Sequence, residues 1–258
     1  MIPDPCILSD GMFSTFKLVF VYVTLGSVAG ILGVPYSFLV GDIGLLYRIA
    51  MGIVRLGVRA AGIRVVVTGL DHVPAGRSCI FMANHVSNLD PPVLMPAIPG
   101  RSSVLLKREL MKIPILGTAM GMANFVPVER GHRVEAAKAS VAAAAEALRL
   151  GLHILVFPEG TRSKDGRLAS FKKGPFFLAE GTGAPIVPVA ISGTERMMQK
   201  GSAAIAPGVA RVQVLPAIEP SAYGSREELM AAVRAAIAGA LPEEMRPAGW
   251  EQEVGNRE

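Results

Sequence analysis

From Leu18 to Gly41 the chain carries no charged side chain, and no other feature restricts its folding as strongly. A run of about 20 apolar residues matches the hydrocarbon thickness of a bilayer, so this stretch belongs in lipid or against protein. Pro35 lies within it, and the part before the proline, Leu18 to Val34, extends only about 25 Å as a helix. A tilted span, a re-entrant hairpin and an interfacial helix all satisfy that length. A cleaved signal peptide fits poorly: Asp4 and Asp10 precede the run where a basic cluster belongs, and no convincing cleavage site follows. Gly26 and Gly30 form one small-xxx-small pair, too little to define a helix-dimer face.

The next stretch, Ile43 to Ala60, changes character. Arg48, Arg55 and Arg59 fall on one helical stripe, with Leu46, Ile53 and Gly57 on the opposite side. A basic amphipathic helix of this kind lies on an anionic membrane or packs on its own domain. Its position directly after the apolar run favours the membrane. Arginines 48, 55, 59 and 64 follow that run, whereas Asp4, Asp10 and Lys17 precede it. If the run spans, the positive-inside tendency puts the rest of the chain in the cytoplasm.

Composition narrows the class. The chain is 51% hydrophobic and only 18% charged, too apolar for an ordinary soluble enzyme and too mixed for a polytopic transporter. Its net charge of +5 suits nucleic acid, anionic lipid or a phosphorylated substrate. Few aromatics, and none interleaved with lysine and arginine runs, argue against nucleic acid. Cys6 and Cys79 have neither metal-ligand nor disulfide spacing, and Cys79 reads as a core residue. The four histidines offer no metal-ligand cluster, and no metal is expected.

After residue 63, short apolar runs alternate with helical patterns. Strands are expected at Arg64–Thr68, Ser78–Ala83, Ser103–Leu106, Phe125–Val128, His153–Phe157, Pro185–Ile191 and Arg211–Pro216. The clearest helix runs from about Arg133 to Leu150, stopped by Gly151. A second starts at Ser225, whose spacing to Glu228 makes a capping box. Shorter helices follow Pro91, Lys112 and Lys173. The pattern predicts an α/β domain with a mixed, mainly parallel sheet flanked by helices, preceded by a hydrophobic and amphipathic helical membrane-attachment segment. The expected units are residues 1–63 for attachment, 64–242 for the α/β domain and 243–258 for a polar, frayed tail.

The segment Ala83-Asn84-His85-Val86-Ser87-Asn88-Leu89-Asp90-Pro91-Pro92 follows one strand and ends on two prolines. Asp90 suits an N-cap with Pro91 after it. On a continuous helix His85 and Asp90 would point about 140° apart. As a loop leading into a helix, the same spacing folds the carboxylate back onto the imidazole, fixing its tautomer as a general base requires. A merely structural histidine and cap share that spacing. A second segment, Phe157-Pro158-Glu159-Gly160-Thr161-Arg162-Ser163, closes another strand. Its glycine allows close backbone approach, its threonine offers a hydroxyl, and its arginine offers a fork for phosphate. Lys172 and Lys173 follow, and Lys107-Arg108-Glu109-Leu110 and Phe125-Val126-Pro127-Val128-Glu129-Arg130 add two basic sites between the motifs.

In order and spacing these blocks, with Ile186-Val187-Pro188-Val189, resemble those of the 1-acylglycerol-3-phosphate acyltransferases, within the glycerolipid acyltransferases that carry an HxxxxD motif. The likeness covers roughly Arg64 to Ala217. It implies His85 as general base and Asp90 as its orienting partner. It implies that Arg130, Gly160, Thr161 and Arg162 hold the acceptor phosphate, with Glu159 shaping that loop and Lys107 assisting. Val128 and Glu129 stand where family members often have isoleucine and aspartate; the acidic character survives on a longer side chain.

The implied reaction is direct acyl transfer from acyl-CoA or acyl-carrier protein to the free hydroxyl of lysophosphatidic acid, without cofactor. The implied location is the membrane, with the catalytic domain on its cytoplasmic face. An acyl-enzyme on Ser87 is the mechanistic rival, but the chain contains no G-x-S-x-G elbow. Glycerol 3-phosphate, another lysophospholipid or a lyso-aminolipid are alternative acceptors. A non-catalytic lipid-binding protein is the alternative of another class.

Overall fold

The computed structural model describes residues 5–128, 134–198 and 202–250. Two helices come first, α1 (Pro5–Val40) and α2 (Gly44–Ala60). Helix α1 starts before the uncharged run and continues through Pro35 without a break. An interior proline removes one ladder bond at a cost of about 3 kcal/mol, and the helix persists through it. The turn between the helices is built locally: Gly41 takes a φ of 73° and donates to Ser37 O at 2.9 Å, while Asp42 Oδ2 accepts from Gly44 N at 3.0 Å. The helices close as a hairpin because two glycines leave room. Leu46 fills the space beside Gly33, and the Tyr22 ring fills that beside Gly57.

Seven strands follow: β1 (Ile63–Thr68), β2 (Ile80–Ala83), β3 (Ser102–Lys107), β4 (Val126–Val128), β5 (His153–Val156), β6 (Ile186–Ser192) and β7 (Gly208–Val214). They form one sheet in the order β1-β7-β6-β2-β5-β3-β4. Every neighbouring pair is parallel except β6 with β7. All seven expected strands are present, each within a few residues of its expected bounds. The expected mixed, mainly parallel architecture is the observed one.

The remaining helices are α3 (Asp90–Leu94), α4 (Leu116–Met122), α5 (Val134–Arg149), α6 (Gly174–Thr182), α7 (Thr194–Met197) and α8 (Arg226–Ala240). On one face of the sheet, Leu18 of α1, Val58 of α2 and Val93 and Leu94 of α3 pack with Phe81, Leu155, Val187 and Ile191. On the other, Ala144 and Ala147 of α5, Phe176 of α6 and Leu229, Val233 and Ile237 of α8 pack with Ile80, Met82, Ile154 and Ile186. Strands buried on both faces cannot alternate apolar with polar residues, which is why β2, β5 and β6 read as continuous apolar runs. Ser225 caps α8 by accepting from Glu228 N at 3.2 Å. The return bond of the expected capping box differs, since Glu228 Oε2 accepts from Gly224 N rather than from Ser225.

The polar segment after Leu241 is packed as far as residue 250. Met245 is buried, its carbonyl accepts from Leu168 N, and Trp250 covers the α8 layer. Cys79 has no exposed surface, and burial pushes its thiol up to about 11, as a core cysteine requires.

His153 opens β5 with its Nδ1 accepting from Cys79 N at 3.1 Å and its ring edge-on to Phe81. Burial holds its imidazole below the ordinary value of 6.5. The native state therefore binds fewer protons here than the unfolded chain. The stability from this group is present above the unfolded value and lost as pH falls through it toward the lower folded value. Asparagine at 153 keeps an acceptor for the Cys79 amide without a titrating ring. We expect His153→Asn to flatten the fall in melting temperature between about pH 7 and pH 5. Parallel falls in variant and wild type would remove His153 as its source.

Candidate active site

Strand β2 lies between β6 and β5 and is parallel to both, so the carboxyl ends of all three open on one edge of the sheet. In open α/β sheets that edge is where loops converge on ligands. The loop after β2 carries His85, the loop after β5 carries Glu159, and the turn after β6 carries Thr194.

Local chemistry sets the first loop. Asn84 is buried at the end of β2 and bonds Ile191 of β6 twice, through Nδ2 to the carbonyl at 2.9 Å and through Oδ1 to the amide at 2.7 Å. A side-chain amide here continues the ladder that the backbone of β2 abandons. His85 is then free to turn out of the sheet. Its backbone N–H donates to Glu159 Oε1 at 2.6 Å, and its carbonyl accepts from Ser163 N at 2.8 Å. Its ring stacks on Phe157 with centroids 4.1 Å apart.

Asp90 has no exposed surface. Its Oδ2 accepts from His85 Nδ1 and from the amides of Val86 and Ser87, each at 2.8 Å, and its Oδ1 accepts from Thr194 Oγ1 at 2.6 Å. Asp90 is thus the first residue of α3 rather than its N-cap, because the carboxylate reaches back to loop amides ahead of the helix instead of to the helix amides. A carboxylate only accepts, so Nδ1 carries the proton and Nε2 keeps its lone pair. The side chain of His85 is 15% exposed and that of Asp90 is 0% exposed. The base faces outward and its support is sealed.

The second motif divides its labour. Glu159 is buried, with Oε1 on the His85 amide and Oε2 on the Ala169 amide at 3.0 Å. Burial raises its carboxyl above the usual range, opposed by those two amides. Each oxygen accepts from a backbone amide, so Glu159 pins the His85 loop to the Arg162 loop. Gly160 adopts a φ of 72°, a region that penalises any Cβ, and Thr161 is exposed with Arg162 half-buried beside it. Lys172 lies over this turn, its Cγ near the space a Cβ on Gly160 would take, whereas Lys173 bonds Glu227 at 2.7 Å. The paired lysines of the sequence therefore separate.

Lys107 ends β3 at the same sheet edge, and its side chain lies outside the described residues. Arg130 also lies outside them; β4 ends two positions earlier, at Val128. Ser87 is fully buried, donates to Met198 O at 3.0 Å and accepts from Leu89 N. A hydroxyl so engaged is poorly placed as a nucleophile. Thr194 was not expected. It lies 104 positions from Asp90, beyond any spacing rule, and its one local signal is Gly193, which turns the chain at the end of β6 with a φ of 95°.

A family model described as Acyltransferase matches residues 64–192. The 1-acyl-sn-glycerol-3-phosphate acyltransferase BAT2 of Brassica napus is 37% identical over 169 residues, covering 64% of this chain and 46% of its own. The chain thus spans about half the length of that relative. The 1-acyl-sn-glycerol-3-phosphate acyltransferase of Limnanthes douglasii is 30% identical over 207 residues, 80% of this chain and 72% of its own. The crystal structure of the 1-acyl-sn-glycerophosphate (LPA) acyltransferase, PlsC, of Thermotoga maritima superposes with a TM-score of 0.73 at 31% identity, covering 88% of this chain and 92% of that one.

Proposed function

The chain belongs to the acyltransferase family, and on that ground we propose that it moves a fatty acyl group from a thioester to the free hydroxyl of 1-acylglycerol 3-phosphate, giving phosphatidic acid. The observation that carries the reading is the His85 imidazole, held through Nδ1 by a buried carboxylate with Nε2 left as a base. The acceptor's phosphate docks on the turn of Gly160, Thr161 and Arg162, with Lys107, which ends β3, and Arg130 as further cations for it. Its hydroxyl gives its proton to Nε2 as the oxygen attacks the thioester carbonyl. The tetrahedral intermediate collapses, the carbon–sulfur bond breaks, and the leaving thiolate takes the proton back from the imidazolium. Asp90 stabilises that imidazolium without changing its own protonation. The step as written uses no metal or cofactor. The donor is acyl-CoA or acyl-carrier protein.

Membrane attachment belongs to the same reading. Helix α1 is apolar enough to cross a bilayer over Gly11–Val40, with 11% of its most apolar window buried. Yet it touches the domain near its start, where Thr15 bonds Ala203 and Ile205, and again at Gly30. A helix of about 54 Å lying along the domain cannot cross upright without drawing the domain into lipid. We place α1 and α2 within one leaflet on the cytoplasmic face. Phe13, Phe16, Phe20 and Leu39 of α1 are exposed toward acyl chains, and Arg48, Arg55 and Arg59 of α2 are exposed toward anionic headgroups.

Thiol release should be measured with 1-acylglycerol 3-phosphate, glycerol 3-phosphate, other lysophospholipids and a lyso-aminolipid, each with both donors. Turnover is expected with 1-acylglycerol 3-phosphate, and release with none of these acceptors would leave only a lipid-binding role. Arg162→Ala should raise the acceptor KM roughly ten- to a hundredfold, the loss of one charge-assisted bond, with the donor KM unmoved. An unchanged acceptor KM would sever this turn from phosphate binding.

A further inference from the structure

Between β3 and α4 the chain runs Arg108-Glu109-Leu110-Met111-Lys112-Ile113-Pro114-Ile115-Leu116, a 3-10 turn over Arg108–Lys112 and then the start of α4. Four large apolar side chains in this short loop face solvent: Leu110 is 42% exposed, Ile113 43%, Ile115 40% and Leu116 49%. A single exposed leucine needs no explanation, but a cluster of four marks a contact surface.

The loop is also held in an unusual shape. Ile115 adopts φ 64° and ψ −56°, and Leu116 N donates to Pro114 O at 2.6 Å, which closes a γ-turn of the rare positive-φ form. A β-branched residue in that region is strained and persists only where its surroundings over-determine it. Two glycines do so. Ile115 Cγ2 occupies the space a Cβ on Gly30 of α1 would take, and the loop doubles back where a Cβ on Gly117 would strike Met111 O. Gly30 therefore serves this contact within the chain.

Through Ile115 the loop rests on α1 at Gly30, a helix whose other faces expose Val28, Ile31 and Leu32. The loop also sits at the sheet edge from which the site loops emerge, directly after β3. Exposed Arg108 and Lys112 alternate with its apolar side chains, beside one acidic residue, Glu109. Apolar side chains interleaved with cations match an anionic lipid surface. A second copy of this chain would favour a lysine-poor patch.

We propose that Arg108–Leu116 is a second lipid-contact element, distinct from the α1–α2 hairpin, which sinks its four apolar side chains into the same leaflet. It holds the β3 end of the site edge against the bilayer, so that a lipid acceptor reaches His85 without leaving the headgroup layer. The proposal rests on the membrane reading given above.

The test uses the full chain with Cys6→Ser and one added cysteine, Ile113→Cys, carrying an NBD fluorophore; Cys79 is buried. The control is Gly181→Cys on α6, in the opposite layer. On phosphatidylcholine–phosphatidylglycerol vesicles, the label at 113 should brighten severalfold and be quenched by doxyl-labelled lipid, while the label at 181 does neither. Failure of the parent protein to float with vesicles would overturn the membrane reading itself. Flotation with an unquenched label at 113 would overturn only the loop contact, as would brightening on concentration without vesicles, which signals a second copy. Ile113→Asp should lower vesicle partitioning about tenfold or more; unchanged partitioning likewise overturns the contact.

Discussion

His85→Ala is expected to lower turnover by about 10²–10⁴-fold, the ordinary contribution of a positioned general base, in a protein that still folds. The ring is partly exposed at the site edge and stacks on Phe157, so its removal opens space toward solvent rather than a closed cavity. The bonds that shape the loop come from the His85 backbone, to Glu159 and Ser163, and alanine keeps both. Asp90 loses one donor and retains the Val86 and Ser87 amides and the Thr194 hydroxyl. Thiol release and a thermal melt, run on one preparation, check both halves. Activity within tenfold of wild type in the folded variant would end the role of this imidazole as base.

Replacing Asp90 should be at least as damaging and should, unlike the histidine change, reach the fold. The carboxylate receives four hydrogen bonds in a site with no exposed surface. Asparagine has one acceptor oxygen and an NH₂ group that must face donors. Leaving buried donors unmatched costs about 1–3 kcal/mol each, so Asp90→Asn should lower unfolding free energy by about 2–5 kcal/mol. The amide also lets Nδ1 accept instead of donate, which puts the proton on Nε2 and removes the base. A kcat loss comparable with that of His85→Ala, with acceptor KM nearly unmoved, separates this from general loosening. Wild-type stability in the variant would show that the carboxylate network does not hold the loop.

Much of this molecule was legible because its cause is local. Continuous apolar runs announced the central strands, since a strand covered on both faces needs no polar residue. The alanine-rich pattern stopped by Gly151 announced α5, and Ser225 with Glu228 announced the start of α8. The five-residue spacing of His85 and Asp90 allowed their pairing, with Pro91 favouring a helix start beside it, but a merely structural pair shares that spacing. Glu159 was placed in the right loop, but its direction was hidden: a glutamate after a strand looks the same whether it faces a ligand or two backbone amides.

The amino-acid order alone thus determined the element types, set by interactions between near neighbours in the chain, and their alternation from which a mainly parallel sheet was expected; the four-block resemblance, more than the five-residue spacing, supported the pairing of imidazole with carboxylate. Only the tertiary structure decided the rest. It seated Thr194 on Asp90, turned Glu159 inward, sent Lys172 and Lys173 to different places, laid α1 along the domain and lodged Ile115 in the notch at Gly30. Each of these joins residues far apart in the chain, or turns one residue toward a distant neighbour, and such choices depend on how whole layers pack. Spacing along the sequence carries no information about that packing.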